Sequence, residues 1–394
     1  MIVAAAYGDP ALVLLELGGV VFGLAIIARL ADRIGFSPIP LYLFAGLMFG
    51  EGGVVRPDFT NDFITLSAEI GVVLLLLTLG IEYTASELRD SLRSGFWSGA
   101  LDLVVNATPG AVAGIALGFG AAETLALAGV TYTSSSGIAA KVLRDLDRLG
   151  NRETPTVLTL LVVEDLAMAM YLPVMAIVFT GGTAGTAAAS VAIALSVLAF
   201  VLVVALRHGS VLSRMLATRS NESLLLSLVG LTLLVAGVAQ WVNISAAIGA
   251  FLVGIALSGS VQQRAAKLIE PLRDLFAALF FLFFGLQIDP SKLVSALPVA
   301  TALVVITGLG KVFVGAFAAK RNGVGRPGQI RAGTVLIARG EFSIVVAGLA
   351  AASGASPELG SLAAAYVLLS AAAGPIITRF VEPAAGPGSP AVPL

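Results

Sequence analysis

The sequence contains no cysteine, one histidine and few charged residues, and each shortage excludes a class of function. Without cysteine there is no disulfide and no thiolate metal site, and the single His208 leaves no material for a zinc site or a catalytic triad. No phosphate-binding loop of the G-x-x-x-x-G-K-[ST] type is present, which argues against an ATP-driven protein. A net charge of -1 argues against nucleic-acid binding. We therefore expect a protein that is not an enzyme, binds no nucleic acid and holds no cofactor tightly.

Apolar sequence is what the chain has in excess. Hydrophobic residues make up 58% of it and charged residues 12%, whereas about 25% of a soluble protein is charged. Most apolar runs reach the ~20 residues with which a helix crosses the hydrocarbon core of a bilayer. No basic residue precedes the first run, so it is not typical of a cleaved signal. The composition predicts an all-α polytopic protein of the lipid bilayer.

Polar residues divide the apolar sequence into thirteen predicted transmembrane segments. They lie at about 11–29, 38–50, 63–82, 95–118, 121–141, 154–180, 185–206, 221–241, 243–260, 272–288, 293–319, 330–353 and 359–381. Basic residues test this count, because they concentrate in cytoplasmic loops. Of the 23 Lys and Arg residues, 19 fall in alternate loops, and only Arg56 and Lys292 lie in the opposite ones. The odd count predicts an inner (plasma) membrane protein with its N-terminus outside and its C-terminus in the cytoplasm.

The thirteen segments divide into six, a linker at 185–206 and six more, which places the two halves in opposite orientations. Inverted repeats of this kind are typical of secondary transporters, whose sites lie at mid-membrane beside discontinuous helices. Each half has one matching interruption: TYTSSSG at 131–137 in the fifth segment, and Arg339, Gly340 and Glu341 in the twelfth. Backbone freed at such breaks is tolerated where it lines a cavity or binds a ligand.

Two adjacent acids, Glu164 and Asp165, lie inside the otherwise uncharged run 154–180. An acid at mid-membrane costs about 2.5–3.5 kcal/mol even on lenient scales, so a cation, a proton or a buried base must offset it. Neighbouring helix positions point about 100° apart, so one acid can meet a cation while the other meets a base. Lys311, on the order of 13 Å inside its segment from Lys320, is the available base. Asp165, halfway along its segment, is the stronger candidate for an exchange site.

The second interruption carries Arg339 and Glu341 on either side of Gly340. These two side chains can form an ion pair with each other or satisfy the loose backbone ends of a broken helix. Glu69, in the third segment, is an alternative ion-pair partner for Arg339. Asp102, in the fourth segment, fits a solvated cavity residue or a local cap, and we assign it no chemistry from the sequence.

Seven stretches resemble, in order and spacing, the membrane domain of the monovalent cation:proton antiporter-2 family, which includes the glutathione-gated potassium efflux systems. They are PIPLYLFAGLMFGEGG, AEIGVVLLLLTLGIE, TSSSGIAAKVL, LLVVEDLAMA, AAIGAFLVGIALSGS, PLRDLFAALFFLFFGLQID and ARGEFSIVVAG. The resemblance covers nearly the whole chain and implies the sodium/proton antiporter fold, with two discontinuous crossing helices. It also implies a homodimer, in which a transport core (about 95–180 and 293–381) moves like an elevator past a dimerisation panel (about 11–82 and 221–288).

The same resemblance implies roles for individual residues. Asp165 matches the family's ion- and proton-binding aspartate, and Lys311 matches a lysine that pairs with the preceding acid in the electrogenic sodium branch. The residues of the first broken helix that would complete cation coordination are Thr131, Thr133 and Ser134. Glu164 departs from the pattern, because the potassium branch has glutamine there and the sodium branch aspartate. The choice between K⁺ and Na⁺ and the stoichiometry therefore stay open.

The expected function is exchange of K⁺ or Na⁺ for protons by alternating access. Two alternatives stay open: a sodium-coupled organic-anion symporter of the same fold, and a gated potassium efflux channel, although no TVGYG-like filter is present. Residues 382–394, EPAAGPGSPAVPL, predict a disordered tail. Related potassium efflux proteins often continue into a nucleotide-binding domain. We expect that regulation is absent, that a separate cytoplasmic subunit binding nucleotide supplies it, or that the chain is cut short.

Overall fold

A computed structural model describes residues 10–33, 37–49, 61–82, 85–179, 213–241, 246–286, 288 and 290–381. The helices of ten residues or more are α1 (Pro10–Arg33), α2 (Ile39–Phe49), α3 (Asn61–Glu82), α4 (Ala85–Ala116), α5 (Ala121–Tyr132), α6 (Ser136–Asp145), α7 (Thr154–Phe179), α8 (Asn221–Trp241), α9 (Ala246–Ile255), α10 (Gly259–Leu286), α11 (Pro290–Arg321), α12 (Arg326–Val335), α13 (Glu341–Ala352) and α14 (Pro357–Phe380). No strand occurs among the described residues. The predicted linker at 185–206 and the tail at 382–394 lie outside them.

The chain divides into two compact units. The first unit is Met1–Ile34, Leu41–Ala85 and Ala169–Ser291, and the second is Gly35–Pro40, Ser86–Met168 and Lys292–Leu394. The predicted transport core overlaps the second unit. The second unit includes α7 only as far as Met168. Its role as a moving core stays a prediction.

Within the first unit, α3 packs against α9 and α10, and α9 packs against α8. Pairs of glycines bring the backbones close: Gly80 faces Gly254, and Gly46 faces Gly285, so that a Cβ at any of the four would overlap backbone atoms of the opposite helix. Small residues at helix contacts are how apolar helices gain van der Waals packing in a membrane, where burial from lipid supplies no hydrophobic drive.

Two parts of the chain that lie mostly in the second unit have the same order of helices. A helix of 32 residues, α4, is followed by half-helices α5 and α6 of 12 and 10 residues and by α7 of 26 residues. The later part repeats this with α11 of 32 residues, half-helices α12 and α13 of 10 and 12 residues, and α14 of 24 residues. This repetition agrees with the two interruptions predicted from the sequence. The inverted relation of the repeats stays a prediction.

A buried apolar cluster packs the half-helices of the second unit against its long helices. Ile138, Leu160, Val314 and Leu336, which come from α6, α7, α11 and the end of α12, belong to it, and each is at most 1% exposed. Because four elements share this cluster, it holds the ends of both interrupted segments in place.

Five described helical stretches are long and apolar enough to cross a membrane. They are Arg93–Ala116, Thr154–Leu172, Asn221–Gln240, Pro290–Arg321 and Pro357–Phe380. They support a multi-pass membrane protein, and the total of thirteen crossings stays a prediction.

Most helix bounds agree with the apolar segments, and α8 has the predicted bounds of 221–241. The main correction is α10, predicted from 272 but beginning at Gly259. Its first turns carry Gln262, Arg264 and Lys267, and the Gln262 amide donates to the Ile81 carbonyl at 2.6 Å. A hydropathy criterion finds only the apolar part of such an amphipathic helix.

Gly333 on α12 provides a test of this packing, because a Cβ there would overlap the backbone of Val312 on α11. We expect Gly333→Ala to destabilise the protein by about 1–3 kcal/mol, as overpacking of a dense core does. Gly237→Ala on α8 is the matched control, because no atom lies within 4 Å of its Cβ position. There alanine should stabilise the helix by about 0.5–1 kcal/mol. Thermal unfolding of the detergent-purified variants measures both; equal midpoints would contradict the prediction.

Candidate functional site

The two helix interruptions of the second unit contact each other directly. Chain segment 133–135 separates α5 from α6, and segment 336–340 separates α12 from α13. The Ser135 N–H donates to the Ala338 carbonyl at 2.8 Å, and the Ser134 hydroxyl donates to the Leu336 carbonyl at 2.9 Å. Backbone groups that a continuous helix would pair internally are thus paired across the two breaks.

Lys311 of α11 lies between two buried carboxylates. Its Nζ donates to Asp102 of α4 at 2.9 Å (Oδ1) and 2.7 Å (Oδ2). The same Nζ lies 3.0 Å from Oε1 of Glu164 on α7, an ion-pair distance without hydrogen-bond geometry. The predicted pairing of Lys311 with Glu164 is therefore found, but Lys311 also has a second acid as its hydrogen-bonded partner.

Asp102 is the residue that the sequence reasoning left without chemistry. Its side chain has no exposed area, and besides Lys311 it accepts a hydrogen bond from the Asn106 amide, one turn along α4, at 2.8 Å. The signal that could have found it was present: Asp102 is a lone acid in an apolar segment, as Asp165 is. The sequence could not show that Lys311, 209 positions away, is its partner.

Glycines let α4 bring Asp102 to this position. A Cβ at Gly99 would overlap Val163 of α7, and one at Gly110 would overlap the Leu127 carbonyl of α5. On the facing helix, a Cβ at Gly310 would lie 2.8 Å from Oδ1 of Asn106. The close approach of α4 and α11 at Gly310 places the neighbouring Lys311 against Asp102.

Glu164 and Asp165 are both fully buried but point to different sides of α7. Glu164 faces Lys311 and also accepts a hydrogen bond from the Ser134 N–H in the first interruption through Oε2. Asp165 is rotated by about 100° from it. Tyr132, at the end of α5, is close enough to Asp102, Glu164 and Asp165 for its hydroxyl to interact electrostatically with all three.

Tyr132 is a site residue that the sequence reasoning did not single out. Its side chain is 1% exposed, and the Lys311 Nζ lies 5.5 Å from its ring centroid, within cation–π distance. Its hydroxyl makes no hydrogen bond among the described residues.

Arg339 stabilises the ends of both interrupted segments. Its Nε donates to the Thr131 carbonyl at the end of α5 at 3.2 Å, and its Nη1 donates to the Leu336 and Ile337 carbonyls after α12 at 2.9 and 3.0 Å. These carbonyls are at negative helix ends, where a cation is favourable. Of the two roles predicted for Arg339, the ion pair with Glu341 is not found, whereas binding of the loose backbone ends is, because the guanidinium donates to carbonyls at both breaks.

Glu341 and Glu69, the two proposed partners of Arg339, have other surroundings. Glu341 begins α13 and accepts hydrogen bonds from the hydroxyls of Ser135 (2.7 Å) and Ser136 (3.2 Å) at the start of α6. Its negative charge therefore lies at the positive N-termini of α6 and α13, where the helix dipole favours an anion. Glu69 lies on α3 in the first unit with an exposed side chain, whereas Arg339 is fully buried, so the alternative pair is not supported either.

The three predicted hydroxyl residues lie at the first interruption and are all buried. The hydroxyls of Thr131 and Thr133 donate to the carbonyls of Ala128 (3.1 Å) and Ser134 (3.4 Å). Each of these hydroxyls, like that of Ser134, donates its proton to a carbonyl. The lone pairs of its oxygen can therefore coordinate a cation. Their role as cation ligands stays a prediction.

Among the described residues, five charged side chains have no exposed area: Asp102, Glu164, Asp165, Lys311 and Arg339. When ionised they carry three negative and two positive charges, so the buried cluster has a net charge of one negative. Asp102 and Glu164 both contact the Lys311 ammonium, so a change of charge on one of them acts on the others. One monovalent cation or one proton is enough to neutralise such a cluster.

A partly buried ion pair of this unit lies away from the cluster. Arg331 of α12 hydrogen-bonds Glu153, the residue before α7, through both carboxylate oxygens. Burial by itself would raise the pKa of Glu153, but the hydrogen bonds from Arg331 and Asn151 outweigh it, and this pKa lies below its ordinary value. Glu153 therefore stays ionised near neutral pH and ties α7 to α12.

Known proteins are similar to this chain in sequence and in fold. The family model "Sodium/hydrogen exchanger, transmembrane" matches residues 20–382. The K(+)/H(+) antiporter subunit KhtU of Bacillus subtilis is 35% identical over 92% of each chain. The ammonium/H(+) antiporter subunit AmhT of Alkalihalophilus pseudofirmus is 31% identical over 86% of each.

The structure of the sodium proton antiporter MjNhaP1 from Methanocaldococcus jannaschii at pH 8 has a TM-score of 0.70. It matches 94% of this chain and 97% of its own, at 16% identity. That likeness shows the sodium/proton antiporter fold, and the family match and the identity to KhtU show the family. The chain therefore belongs to the sodium/hydrogen exchanger family of monovalent cation:proton antiporters.

Proposed function

We propose that this protein is a secondary antiporter that exchanges a monovalent cation for a proton, with Asp165 as the site that both compete for. The observation that supports this most is the fully buried acid pair of α7 beside two interrupted helices, inside a cluster with one excess negative charge. A buried carboxylate in a medium of low dielectric constant needs a neutralising partner. A proton and a cation each supply it, and either one removes the attraction for the other.

Exchange follows from this competition. The cation binds deprotonated Asp165, with oxygens of Glu164 and of the hydroxyls and carbonyls at the first interruption completing its coordination. A proton arriving on Asp165 releases the cation. If only the neutralised site can pass from one side of the membrane to the other, the empty transporter cannot return, and each cation crossing is coupled to a proton crossing. We propose that the second unit makes this alternating-access movement as an elevator.

We propose K⁺ as the first cation to test, with Na⁺ and NH₄⁺ beside it. The relative that is 35% identical is named a potassium/proton antiporter subunit, and the relative that is 31% identical an ammonium/proton antiporter subunit. Monovalent selectivity is favoured by Lys311, whose charge cancels that of one acid, so that a divalent ion would leave the buried cluster with excess positive charge.

The proposal includes a partner subunit, the oligomeric state and the orientation of the protein in the membrane. Both relatives are named as subunits, which supports a separate cytoplasmic partner subunit, and we propose that this partner binds nucleotide. We also propose a homodimer in the inner membrane, with its N-terminus outside and its C-terminus in the cytoplasm. Because the chain has no cysteine, single cysteines placed in each loop can be labelled from either side without removing native ones.

The experiment that tests the exchange uses purified protein in liposomes loaded with a pH-sensitive dye. Adding K⁺, Na⁺ or NH₄⁺ outside should drive protons out of the vesicles, with a rate that saturates in cation. Cation flux without proton movement would indicate the channel alternative. Proton movement that requires Na⁺ together with an organic anion would indicate the symporter alternative.

A further prediction concerns stoichiometry. Because a single cation or proton neutralises the cluster, we expect one-for-one exchange whose rate does not change with membrane voltage. A thiocyanate gradient sets the voltage without altering the cation gradients, and the dye signal gives the rate. Glu164→Gln, tested in parallel, should keep this independence of voltage. Voltage acceleration in the wild type that disappears in Glu164→Gln would show instead that the Glu164–Lys311 pair moves a second proton.

A further inference from the structure

The ammonium of Lys311 is shared unequally between two acids. Asp102 holds it through both carboxylate oxygens, at 2.9 and 2.7 Å, whereas Glu164 is within ion-pair distance at 3.0 Å but makes no hydrogen bond to it. The other Glu164 oxygen takes the Ser134 N–H of the first interruption. Asp102 is thus the main counter-ion of Lys311, and Glu164 is left partly uncompensated.

The position of Asp102 is held by its surroundings. It has no exposed area, lies on the continuous helix α4 and is held by Asn106 from the same helix. Glycines at 99 and 310 allow the neighbouring helices to approach it closely. By contrast, Glu164 lies next to Asp165 and against the interrupted backbone that the bound cation would contact.

From this geometry we propose that Asp102 is a positioning residue for cation binding. It keeps Lys311 in place and neutralised, so that Glu164 stays available to the cation, and its charge gives the buried cluster its excess of one negative charge. The proposal rests on the proposed exchange at Asp165 and assigns Asp102 no contact with the cation itself.

Removing the charge of Asp102 should weaken cation binding. In Asp102→Asn, Lys311 has Glu164 as its sole carboxylate partner, and the cluster becomes neutral before the cation arrives. A unit charge ~10 Å away at an effective dielectric constant of about 20 changes binding roughly tenfold. We expect the KM for the cation to rise about tenfold, with the maximal rate much less affected. Asp102→Glu, which keeps the charge, should recover most of the affinity.

A paired substitution separates charge from structure. Asp102→Asn combined with Lys311→Met removes one charge of each sign, so the cluster keeps its excess negative charge. Glu164 loses the Lys311 ammonium but keeps the hydrogen bond from the Ser134 N–H. We expect its KM to return close to the wild-type value. A merely structural role of Asp102 predicts a double variant worse than either single one. If Asp102→Asn does not fold, the double variant by itself decides: a KM near wild type supports the proposal, and a raised KM overturns it.

The remaining controls distinguish this proposal from the one it rests on. Glu153→Gln breaks the partly buried ion pair with Arg331, so it should lower thermal stability without changing the KM. If wild-type protein shows no cation-driven proton movement, the exchange proposal fails, whatever Asp102 does. If the wild type exchanges and Asp165→Asn does not, but Asp102→Asn keeps the wild-type KM, the exchange proposal stands and the role of Asp102 is overturned.

Discussion

Asp165→Asn should reduce cation-driven proton movement in liposomes to the level of empty vesicles. Asparagine has nearly the shape of aspartate, but its side chain is uncharged and cannot take up a proton or attract a cation as a carboxylate does, so neither half of the exchange can occur. The residue is fully buried on α7, where an ionised acid is unfavourable by about 2.5–3.5 kcal/mol. We therefore expect Asp165→Asn to match or exceed the thermal stability of the wild type while losing transport.

Stability together with lost transport is the informative combination, because a structural acid would lose both. Asp145→Asn is the matched control: its carboxylate, at the end of α6, is exposed and makes a loose ion pair with Lys141 at 3.9 Å. Surface pairs of this kind contribute about 0–1 kcal/mol, so exchange should be unchanged. Asp165→Glu, which keeps the charge on a longer side chain, should transport slowly. Wild-type exchange by Asp165→Asn would refute the assignment.

The sequence predicts the positions of most helices, because the long helices each cover an apolar stretch of about membrane thickness. It also predicts where segments five and twelve are interrupted, since TYTSSSG and ARGEF cannot continue an apolar helix without a reason. The first break has the predicted centre, residue 134, and the second is centred two residues before Gly340. Glu341 begins α13 and Tyr132 ends α5, so the non-helical backbone is at 133–135 and 336–340.

The sequence could not show which buried charges pair with one another. Asp102, Glu164 and Glu341 are all acids in predicted apolar segments. Hydropathy does not distinguish which of them pairs with a base. Which of them meets Lys311 depends on glycine contacts such as that at Gly310, which bring α4 and α11 together. For Arg339 the sequence left the ion pair and the loose backbone ends as alternatives, because backbone carbonyls compete with carboxylates for a guanidinium and have no sequence signal.

Arg339→Leu should strongly destabilise the second unit. The fully buried guanidinium donates to three carbonyls at the ends of α5 and α12. Leucine leaves Ile337 without this donor, two negative helix ends without a cation, and the cluster with two excess negative charges. A buried polar group left unpaired costs about 1–3 kcal/mol, and the lost helix-end interactions add up to ~2 kcal/mol each. We expect a loss of several kcal/mol, measured as a lower thermal midpoint or aggregation on size exclusion.

Two variants show whether this loss comes from burial and from the guanidinium fork. Arg264 also donates to carbonyls, those of Thr218 (2.6 Å) and Arg219 (3.4 Å), but near the surface, where water can replace it. Arg264→Leu should therefore cost less than about 1 kcal/mol. Arg339→Lys keeps the charge but lacks the planar fork that reaches both helix ends, so it should be intermediate. If Arg339→Leu is as stable as Arg264→Leu, Arg339 does not hold the two interruptions together, and its conspicuous burial would need a role in transport instead.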